Sequence, residues 1–288
     1  MIFHNSMQLK AYLKRQQEKL HTSISGIYTT FFAKILLERI CRLNREDIVV
    51  KGSLAEFIHL KKMVRSVTDV DLASKGNHHL PLLVINNAMC LEEDTNFVYD
   101  YRISPYKTKT GICKIPLICG FDGIKQPLDI DFRENHPCIF EKQLKEVPAV
   151  FEKDHVFYAQ VTSLEEHLAE KLCIILENQK QEVLNTRVKD FYDIYELHGG
   201  NYDLDKFSYY FEVMLQKRGK MGNNALKTDY LDQTLVRKLE PLWERSKKHY
   251  DFLDDGIDLE GSVYYTRGVL REQIQRIEQG KNRVYTLK

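Results

Sequence analysis

The stretch Lys51-Gly52-Ser53, followed after a helix-length gap by Asp69-Val70-Asp71, decides the fold of this chain. Asp69 and Asp71 stand one residue apart on a predicted strand, so their side chains point to the same face. Two carboxylates held side by side repel each other unless a cation lies between them. The Gly-Ser turn opens into a predicted helix, whose first backbone N–H groups can bind a phosphate. Together the two stretches predict a site for a metal-bound nucleoside triphosphate.

A second pair of acids occurs in Leu128-Asp129-Ile130-Asp131-Phe132, again one residue apart and among apolar neighbours. Strand interiors disfavour aspartate, because its short polar side chain packs poorly on a half-buried pleated surface. A shared divalent cation, Mg²⁺ or Mn²⁺, accounts for both pairs, because such cations take oxygen ligands. Two cations bridged by three carboxylates would orient an attacking hydroxyl and stabilise a leaving pyrophosphate. For an isolated Asp-x-Asp pair, the alternative is a solvated strand end.

The hydrophobic pattern predicts an α+β protein, with a mixed sheet and helices in residues 1–160 and an all-helical domain in residues 161–288. Ser53 is expected to cap a helix over Leu54 to Lys62. Strands are predicted at 47–51, 67–72, 97–105, 111–119 and 125–132, the last three as an antiparallel meander. Further helices are predicted at 6–43 with a break near 21–26, and at 163–180, 187–197, 203–218, 229–250 and 261–279. The first helix of the C-terminal domain opens with the capping-box pattern Ser163-Leu-Glu-Glu166.

The composition is that of an ordinary globular protein, with 43% hydrophobic and 29% charged residues and a formal net charge of +1. Overall charge therefore does not indicate nucleic-acid binding, although a local basic patch stays open. The N-terminus lacks the apolar run of a signal peptide, and no stretch approaches the roughly 18 apolar residues of a membrane span. The six cysteines form no Cys-x-x-Cys pair, which argues against a zinc site or a disulfide framework. We therefore expect a cytoplasmic protein without a membrane partner.

In order and spacing, these elements resemble the nucleotidyltransferase superfamily of DNA polymerase β type, which has a Gly-Ser turn, a helix, an Asp-x-Asp strand and a third acid. More narrowly, the chain resembles the AbiEii family, the toxin half of type IV toxin–antitoxin systems. That family typically has Lys-Gly-Gly-Thr, then Arg-x-Ser-x-Asp-Ile/Leu-Asp, a helix with a lysine, and Arg-Asp-x-x-Asp. The matching residues are Lys51–Leu54, Arg65–Asp71, Glu166–Leu172 with Lys171, and Arg187–Asp193. The resemblance spans about residues 48 to 197.

Three residues depart from the AbiEii pattern. Ser53 stands for the second glycine, Val67 for a serine and Lys189 for an arginine, and these changes leave the carboxylates in place. The family parallel favours Asp129 as the third acid, because it lies between two apolar residues. Asp131 projects to the same face and stays the alternative.

The resemblance implies a role for each acid and for the turn. Asp69 and Asp71 would hold Mg²⁺, and Asp129 would complete a second metal site and help to deprotonate the acceptor. Gly52 and Ser53 would cradle the β- and γ-phosphates of the NTP.

Four further residues have both a functional and a structural interpretation. By resemblance, Lys171 would reach the phosphates across a cleft between the two domains. Asp190, more than Asp193, would help to orient Lys171 or the base. The alternatives are a surface lysine and a salt bridge along one helix. Lys51 and Arg65 are candidates for phosphate contacts, and either could instead cap a sheet end or pair with an acid.

The resemblance implies RNA as the acceptor, with the 3′ end of tRNA as the candidate, and growth arrest as the outcome. It also implies a separately encoded antitoxin as a partner. A basic cluster in the C-terminal part could bind an RNA backbone, or could form solvated helix faces. Its residues are Lys217, Arg218, Lys220, Lys227, Arg237, Lys238, Arg245, Lys247 and Lys248. Two other functions stay open: a small-molecule nucleotidyltransferase, and a non-catalytic binding module with the same fold.

Overall fold

The computed structural model describes residues 3–44, 46–75, 81–91, 96–136, 140–152, 155–177, 187–219, 226–252, 254 and 256–280. The chain divides into two units. The first unit is Met1–Thr162 together with Tyr250–Leu253, and the second is Ser163–His249 with Asp254–Lys288. The short segment Tyr250–Leu253 thus belongs to the first unit, although the residues on either side of it belong to the second.

The first unit contains both helices and strands, and the described part of the second unit is helical. The helices are α1 (Ser6–Leu20), α2 (Ile24–Asn44), α3 (Gly52–Leu60), α4 (Pro81–Met89), α5 (Leu164–Glu177), α6 (Val188–His198), α7 (Leu204–Lys217), α8 (Gln233–Tyr250) and α9 (Leu259–Glu278). The strands are β1 (Ile48–Val50), β2 (Asp69–Ser74), β3 (Val98–Tyr101), β4 (Tyr106–Lys107), β5 (Ile112–Phe121), β6 (Ile124–Arg133), β7 (Lys142–Val147) and β8 (Phe157–Thr162).

The strands form one mixed sheet in the order β3-β5-β6-β2-β1-β8-β7, with β4 paired to β5. The predicted antiparallel meander is present, since β5 is antiparallel to both β3 and β6. β2 lies parallel to β6 and antiparallel to β1. The predicted α+β class, with C-terminal helices, is confirmed. This strand order makes the two strands with paired aspartates direct neighbours.

Aromatic packing fixes α2 against the sheet. Phe31 and Phe32 of α2 are buried and each meets Phe97 edge to face, at 5.5 and 5.8 Å between ring centroids. Phe97 in turn lies 4.8 Å from Phe121 at the end of β5. Each such pair contributes about 0.5–1.5 kcal/mol beyond the buried area. These rings belong to the same buried core as Val70 of β2 and Phe132 of β6, the strands that carry the acids. The core therefore packs these strands against α2.

Side-chain caps define helix starts in the second unit. Ser163 Oγ accepts a hydrogen bond of 3.1 Å from the backbone N–H of Glu166, as the capping-box pattern predicted. Asp203 caps α7 and Asp258 caps α9 through their carboxylates.

Several local predictions differ from the structure. Ser53 does not cap α3, because the helix already begins at Gly52 and Lys51 occupies the N-cap position without a side-chain cap. The positive φ of Gly52 turns the chain directly into the helix. Sequence analysis missed α4 and the polar edge strand β7 together with β8. The predicted helix end at Lys180, and Lys220 of the basic cluster, lie outside the described residues.

Candidate active site

Three carboxylates meet where β2 and β6 lie side by side. The parallel register pairs Asp69 with Asp129 and Asp71 with Asp131. Side-chain oxygens of Asp69, Asp71 and Asp131 all lie within 4.8 Å of one another, close enough to share a metal ion. This group is the one that the described residues offer for a metal. The sequence therefore predicted the two acids of β2 correctly as neighbours.

The structure brings Asp131 to this group and leaves Asp129 out of it. Asp129 is about half exposed, and its Oδ1 accepts a 2.7 Å hydrogen bond from Nη2 of Arg102. The side chain of Asp131 is only 15% exposed. Both residues project to the same face, so the periodicity that favoured Asp129 could not separate them. The acid that the structure places beside Asp69 and Asp71 is Asp131, the alternative of the sequence analysis, and the role of either residue as third acid stays a prediction.

Lys114 is a charged neighbour that sequence analysis did not identify. It stands opposite Asp131 on β5, and its Nζ donates a hydrogen bond to Oδ2 of that residue. Burial lowers the pKa of Lys114, but the hydrogen bond and the charges of Asp131, Asp69 and Asp71 outweigh it, so that its pKa is raised. The sequence offered one signal for this residue, a lysine within the apolar run 112–118. Its partner could not be predicted, because it depends on the register of β5 against β6.

The acid group also provides the carboxylate oxygens that a divalent cation needs as ligands. Burial raises the pKa of Asp131 in spite of the hydrogen bond from Lys114, and the charge of Asp69 raises it further. Among the described residues, Oδ1 of Asp131 is buried without a hydrogen-bond partner. Carboxylate oxygens are the ligands that Mg²⁺ and Mn²⁺ prefer. The residues present therefore fit such a cation.

The Gly-Ser turn lies directly against one of these acids. The backbone N–H of Lys51 donates a 2.9 Å hydrogen bond to the carbonyl oxygen of Asp71. Gly52 has φ +60°, and a Cβ built on it would lie 1.9 Å from Oδ2 of Asp71. Ser53 Oγ, at the start of α3, is buried and has no hydrogen-bond partner among the described residues. The Gly-Ser turn, which the sequence predicts to bind phosphate, thus lies in direct contact with the acid pair.

Lys51 and Arg65 have buried side chains and are held by protein groups. Nζ of Lys51 lies 3.1 Å from Nε2 of His136. Arg65 forms a 3.8 Å ion pair with Glu56 of α3. The structural interpretation of Arg65, pairing with an acid, therefore describes what the side chain does in this structure.

Lys171 and Asp190 meet in the second unit, together with Asp193. Nζ of Lys171 donates hydrogen bonds of 2.7 Å to Asp193 and 3.2 Å to Asp190. The side chain of Lys171 is 9% exposed, that of Asp190 5% and that of Asp193 0%. Arg187 adds a 3.6 Å contact to Asp190. The predicted association of Lys171 with Asp190 is present, Asp193 is the nearer partner, and Lys171 is not a surface lysine.

The sequence model of the family described as "Nucleotidyl transferase AbiEii toxin, Type IV TA system" matches residues 35–262. The chain belongs to the AbiEii nucleotidyl transferase toxin family. The resemblance seen in the sequence is thus confirmed, and the AbiEii match extends past residue 197 to include α7 and α8. The acid group and the Gly-Ser turn both lie inside the matched residues.

One solved structure shares the fold, and a second shows a weaker similarity. JHP933 from Helicobacter pylori is similar at 15% sequence identity, covering 91% of this chain and 99% of that one, with a TM-score of 0.50. An antigenic nucleotidyltransferase-like protein from Paracoccidioides brasiliensis is 14% identical, covering 70% of this chain and 91% of that one, with a TM-score of 0.37. No curated protein matches the sequence. In the described part of this AbiEii-family chain, no helix has the length and apolar character needed to cross a membrane.

Proposed function

We propose that this AbiEii-family chain transfers a nucleoside monophosphate from an NTP to an acceptor hydroxyl. The acceptor oxygen forms a bond to the α-phosphorus, the bond from that phosphorus to the β-phosphate oxygen breaks, and pyrophosphate leaves. The observation that carries the proposal is the contact of Gly52 with Asp71, because it joins a phosphate-binding turn to a group of three carboxylates.

In this proposal Asp69, Asp71 and Asp131 hold Mg²⁺ or Mn²⁺. A bound cation of this kind polarises phosphoryl oxygens and favours the ionised form of an acceptor hydroxyl. Asp131, rather than Asp129, acts as the third acid that helps to deprotonate the acceptor.

The Gly-Ser turn and one lysine complete the proposed nucleotide site. The first N–H groups of α3 and the Ser53 hydroxyl face the phosphates, where a helix N-terminus favours negative charge. Lys114 holds a proton at Nζ and balances part of the carboxylate charge. The roles that the resemblance assigns to Lys51, Arg65, Lys171 and Asp190 at the nucleotide stay predictions.

The proposed acceptor is RNA, with the 3′ end of tRNA as the candidate, and the setting is the cytoplasm with a separately encoded antitoxin. The type IV toxin–antitoxin family supports a toxin and an antitoxin partner. α8 supports an RNA acceptor, because it buries Leu235, Leu239 and Trp243 on one face. Its opposite side exposes the basic residues Arg237, Lys238, Arg245 and Lys248 together with the acidic residues Glu240 and Glu244. Exposed basic residues of this kind can bind a phosphate backbone.

The acceptor is tested by incubating the purified chain with each α-³²P-labelled NTP, Mg²⁺ and either total RNA or a small-metabolite extract. We expect label on an RNA of tRNA size with the intact chain and none with Asp71→Asn. Label confined to a small metabolite would replace RNA by a small-molecule acceptor. No label on either, with growth inhibition retained by Asp71→Asn, would favour the non-catalytic binding module.

Replacing Gly52 by alanine should reduce transfer more than about tenfold, since about 1.4 kcal/mol of lost positioning suffices for that factor. The new methyl group would lie 1.9 Å from Oδ2 of Asp71 and force the carboxylate to move. The matched control is Gly123→Ala, because Gly123 has φ +82° but nothing within 4 Å of its built Cβ. Both variants place alanine at positive φ, at a cost of about 1–2 kcal/mol. Equal transfer rates for the two variants would contradict the contact argument.

A further inference from the structure

A single carboxylate, that of Asp251, collects hydrogen bonds from two distant parts of the first unit. Its Oδ2 accepts from the hydroxyls of Thr22 at 2.8 Å, Ser23 at 2.7 Å and Ser66 at 2.5 Å. It also accepts from the backbone N–H of Ser23 at 3.0 Å. Burial alone would raise the pKa of Asp251, but these hydrogen bonds outweigh it and lower the pKa. Asp251 therefore stays ionised and holds the start of α2 and Ser66 together.

Asp251 lies in the segment Tyr250-Asp251-Phe252, which we call the strap. Besides the carboxylate, the backbone of the strap contacts the same loop, because the N–H of Ser66 donates 2.9 Å to the carbonyl of Tyr250. The guanidinium of Arg65 lies 5.7 Å from the centroid of the Tyr250 ring. The strap thus binds two consecutive residues of the loop through a charge, a backbone hydrogen bond and a ring.

The loop 65–68 that the strap holds leads directly into the acid strand. Val67 follows Ser66 and is anchored separately, its N–H lying 3.4 Å from Oγ1 of Thr30. β2 then begins at Asp69, three residues after Ser66. Arg65, at the other end of the loop, pairs with Glu56 on α3, the helix that starts with the Gly-Ser turn. The loop is therefore linked, by the chain itself and by an ion pair, to both halves of the candidate site.

The packing around the network is tight enough to require glycine. A Cβ on Gly26 of α2 would lie 2.3 Å from Oγ of Ser66 and 2.4 Å from Oδ2 of Asp251. Side chains that approach a backbone this closely have little freedom to adopt another arrangement. Network and loop are therefore closely packed against α2.

We propose that the strap positions Asp69 and Asp71 for metal binding, with Asp251 as the positioning residue. This inference rests on the proposed function, because it assigns a metal to the acid group. Asp251 touches neither the metal nor the nucleotide, and it acts by holding the loop 65–68 against α2. Loss of its charge should therefore weaken metal binding without removing any ligand.

The test compares Mn²⁺ affinity with stability in the full chain. Asp251→Asn keeps the size of the side chain and replaces the charged acceptor by a neutral amide oxygen, which accepts weaker hydrogen bonds from the same donors. We expect its Mn²⁺ dissociation constant, measured by electron paramagnetic resonance of free Mn²⁺, to rise about tenfold, the lower end of losses seen when groups that orient metal ligands are removed. Ser66→Ala removes one of the hydroxyl donors to Asp251. It should also raise the Mn²⁺ dissociation constant, by a smaller factor than Asp251→Asn.

A second variant separates positioning from general destabilisation. Asp258→Ala removes the cap of α9 and costs about 0.5–2 kcal/mol of stability. At a temperature where all variants are folded, this control should bind Mn²⁺ like the wild type. Unchanged Mn²⁺ affinity in both Asp251→Asn and Ser66→Ala would overturn the proposal, as would an equal loss in Asp258→Ala.

The same measurement distinguishes this proposal from the proposed function. Mn²⁺ binding requires no turnover and no identified acceptor. A wild-type chain that binds Mn²⁺ through Asp71 and transfers no nucleotide would refute the proposed function and leave the strap result standing. A wild-type chain that binds no Mn²⁺ would refute both.

Discussion

Asp71→Asn is expected to lose about three orders of magnitude or more in the rate of nucleotide transfer. The substitution removes one of three clustered carboxylates, which hold the metal under the proposed function, and metal stabilisation of a phosphoryl transition state is worth several kcal/mol. Asparagine has nearly the shape of aspartate, so the contact with Gly52 is preserved. Without metal, the variant should be at least as stable as the wild type, because three neighbouring carboxylates repel each other. Initial rates of labelled NMP transfer and melting temperatures with and without Mg²⁺ measure both effects.

Two further variants test the choice of the third acid. Asp131→Asn should lose transfer as Asp71→Asn does, and it should lose the Mg²⁺-dependent rise in melting temperature. Asp129→Asn removes a half-exposed carboxylate paired with Arg102, so its rate should stay within about twofold of the wild type. The reverse ranking, with Asp129→Asn inactive and Asp131→Asn active, would restore the family-based preference for Asp129.

Lys171→Met is expected to lower the free energy of unfolding by about 3–5 kcal/mol. The substitution leaves the carboxylates of Asp193 and Asp190 buried without their central cation, and breaking a buried ion pair from one side typically costs this much. Arg187 lies 3.6 Å from Asp190 and can offset only part of the loss. Urea unfolding followed by circular dichroism gives the free energy of unfolding for each variant.

Matched variants separate the ion pair from other effects of a lost lysine. Lys217→Met, on the exposed side of α7, should change stability by less than about 0.5 kcal/mol. Combining Lys171→Met with Asp190→Asn and Asp193→Asn removes the charges together and should recover most of the stability. A recovered but inactive triple variant would assign Lys171 a role in the reaction, as the family resemblance predicts. A Lys171→Met chain as stable as the wild type would refute the buried ion pair.

The sequence was sufficient to predict which strand carries the acid pair, and it could not identify the third acid. Strand periodicity alone places Asp69 and Asp71 on one face, and this needs no partner strand. Asp129 and Asp131 share that same periodicity. Their surroundings differ, because Asp129 contacts Arg102, which follows β3, and Asp131 contacts Lys114 on β5. These contacts depend on how β3, β5 and β6 pair, and no local pattern encodes that pairing.

Elsewhere in the fold, too, features that depend on neighbouring residues were predictable, and features that depend on distant residues were not. The helix after Gly52 and the capping box at Ser163 depend on neighbouring residues and were predictable from them. Four of the six residues of the edge strand β7 are polar and its apolar Leu144 is exposed, so its sequence lacks the regular apolar alternation of a strand. Asp190 and Asp193 were predictable as neighbours on α6, but their burial around Lys171 requires the packing of α5 against α6. The contacts of the strap could not be predicted from any local pattern, because they join residues far apart in the sequence.

Ser66 and Asp251 are separated by 185 residues, and this separation orders events during synthesis of the chain. The ribosome releases the N-terminal part first, so all three acids and the Gly-Ser turn emerge long before the carboxylate that holds their loop. Under the strap proposal, a nascent chain with a complete set of ligands still binds metal weakly. A proteolytic fragment that stops at Thr162 would behave in the same way. The chain would therefore gain its full metal affinity only after Asp251 has been synthesised.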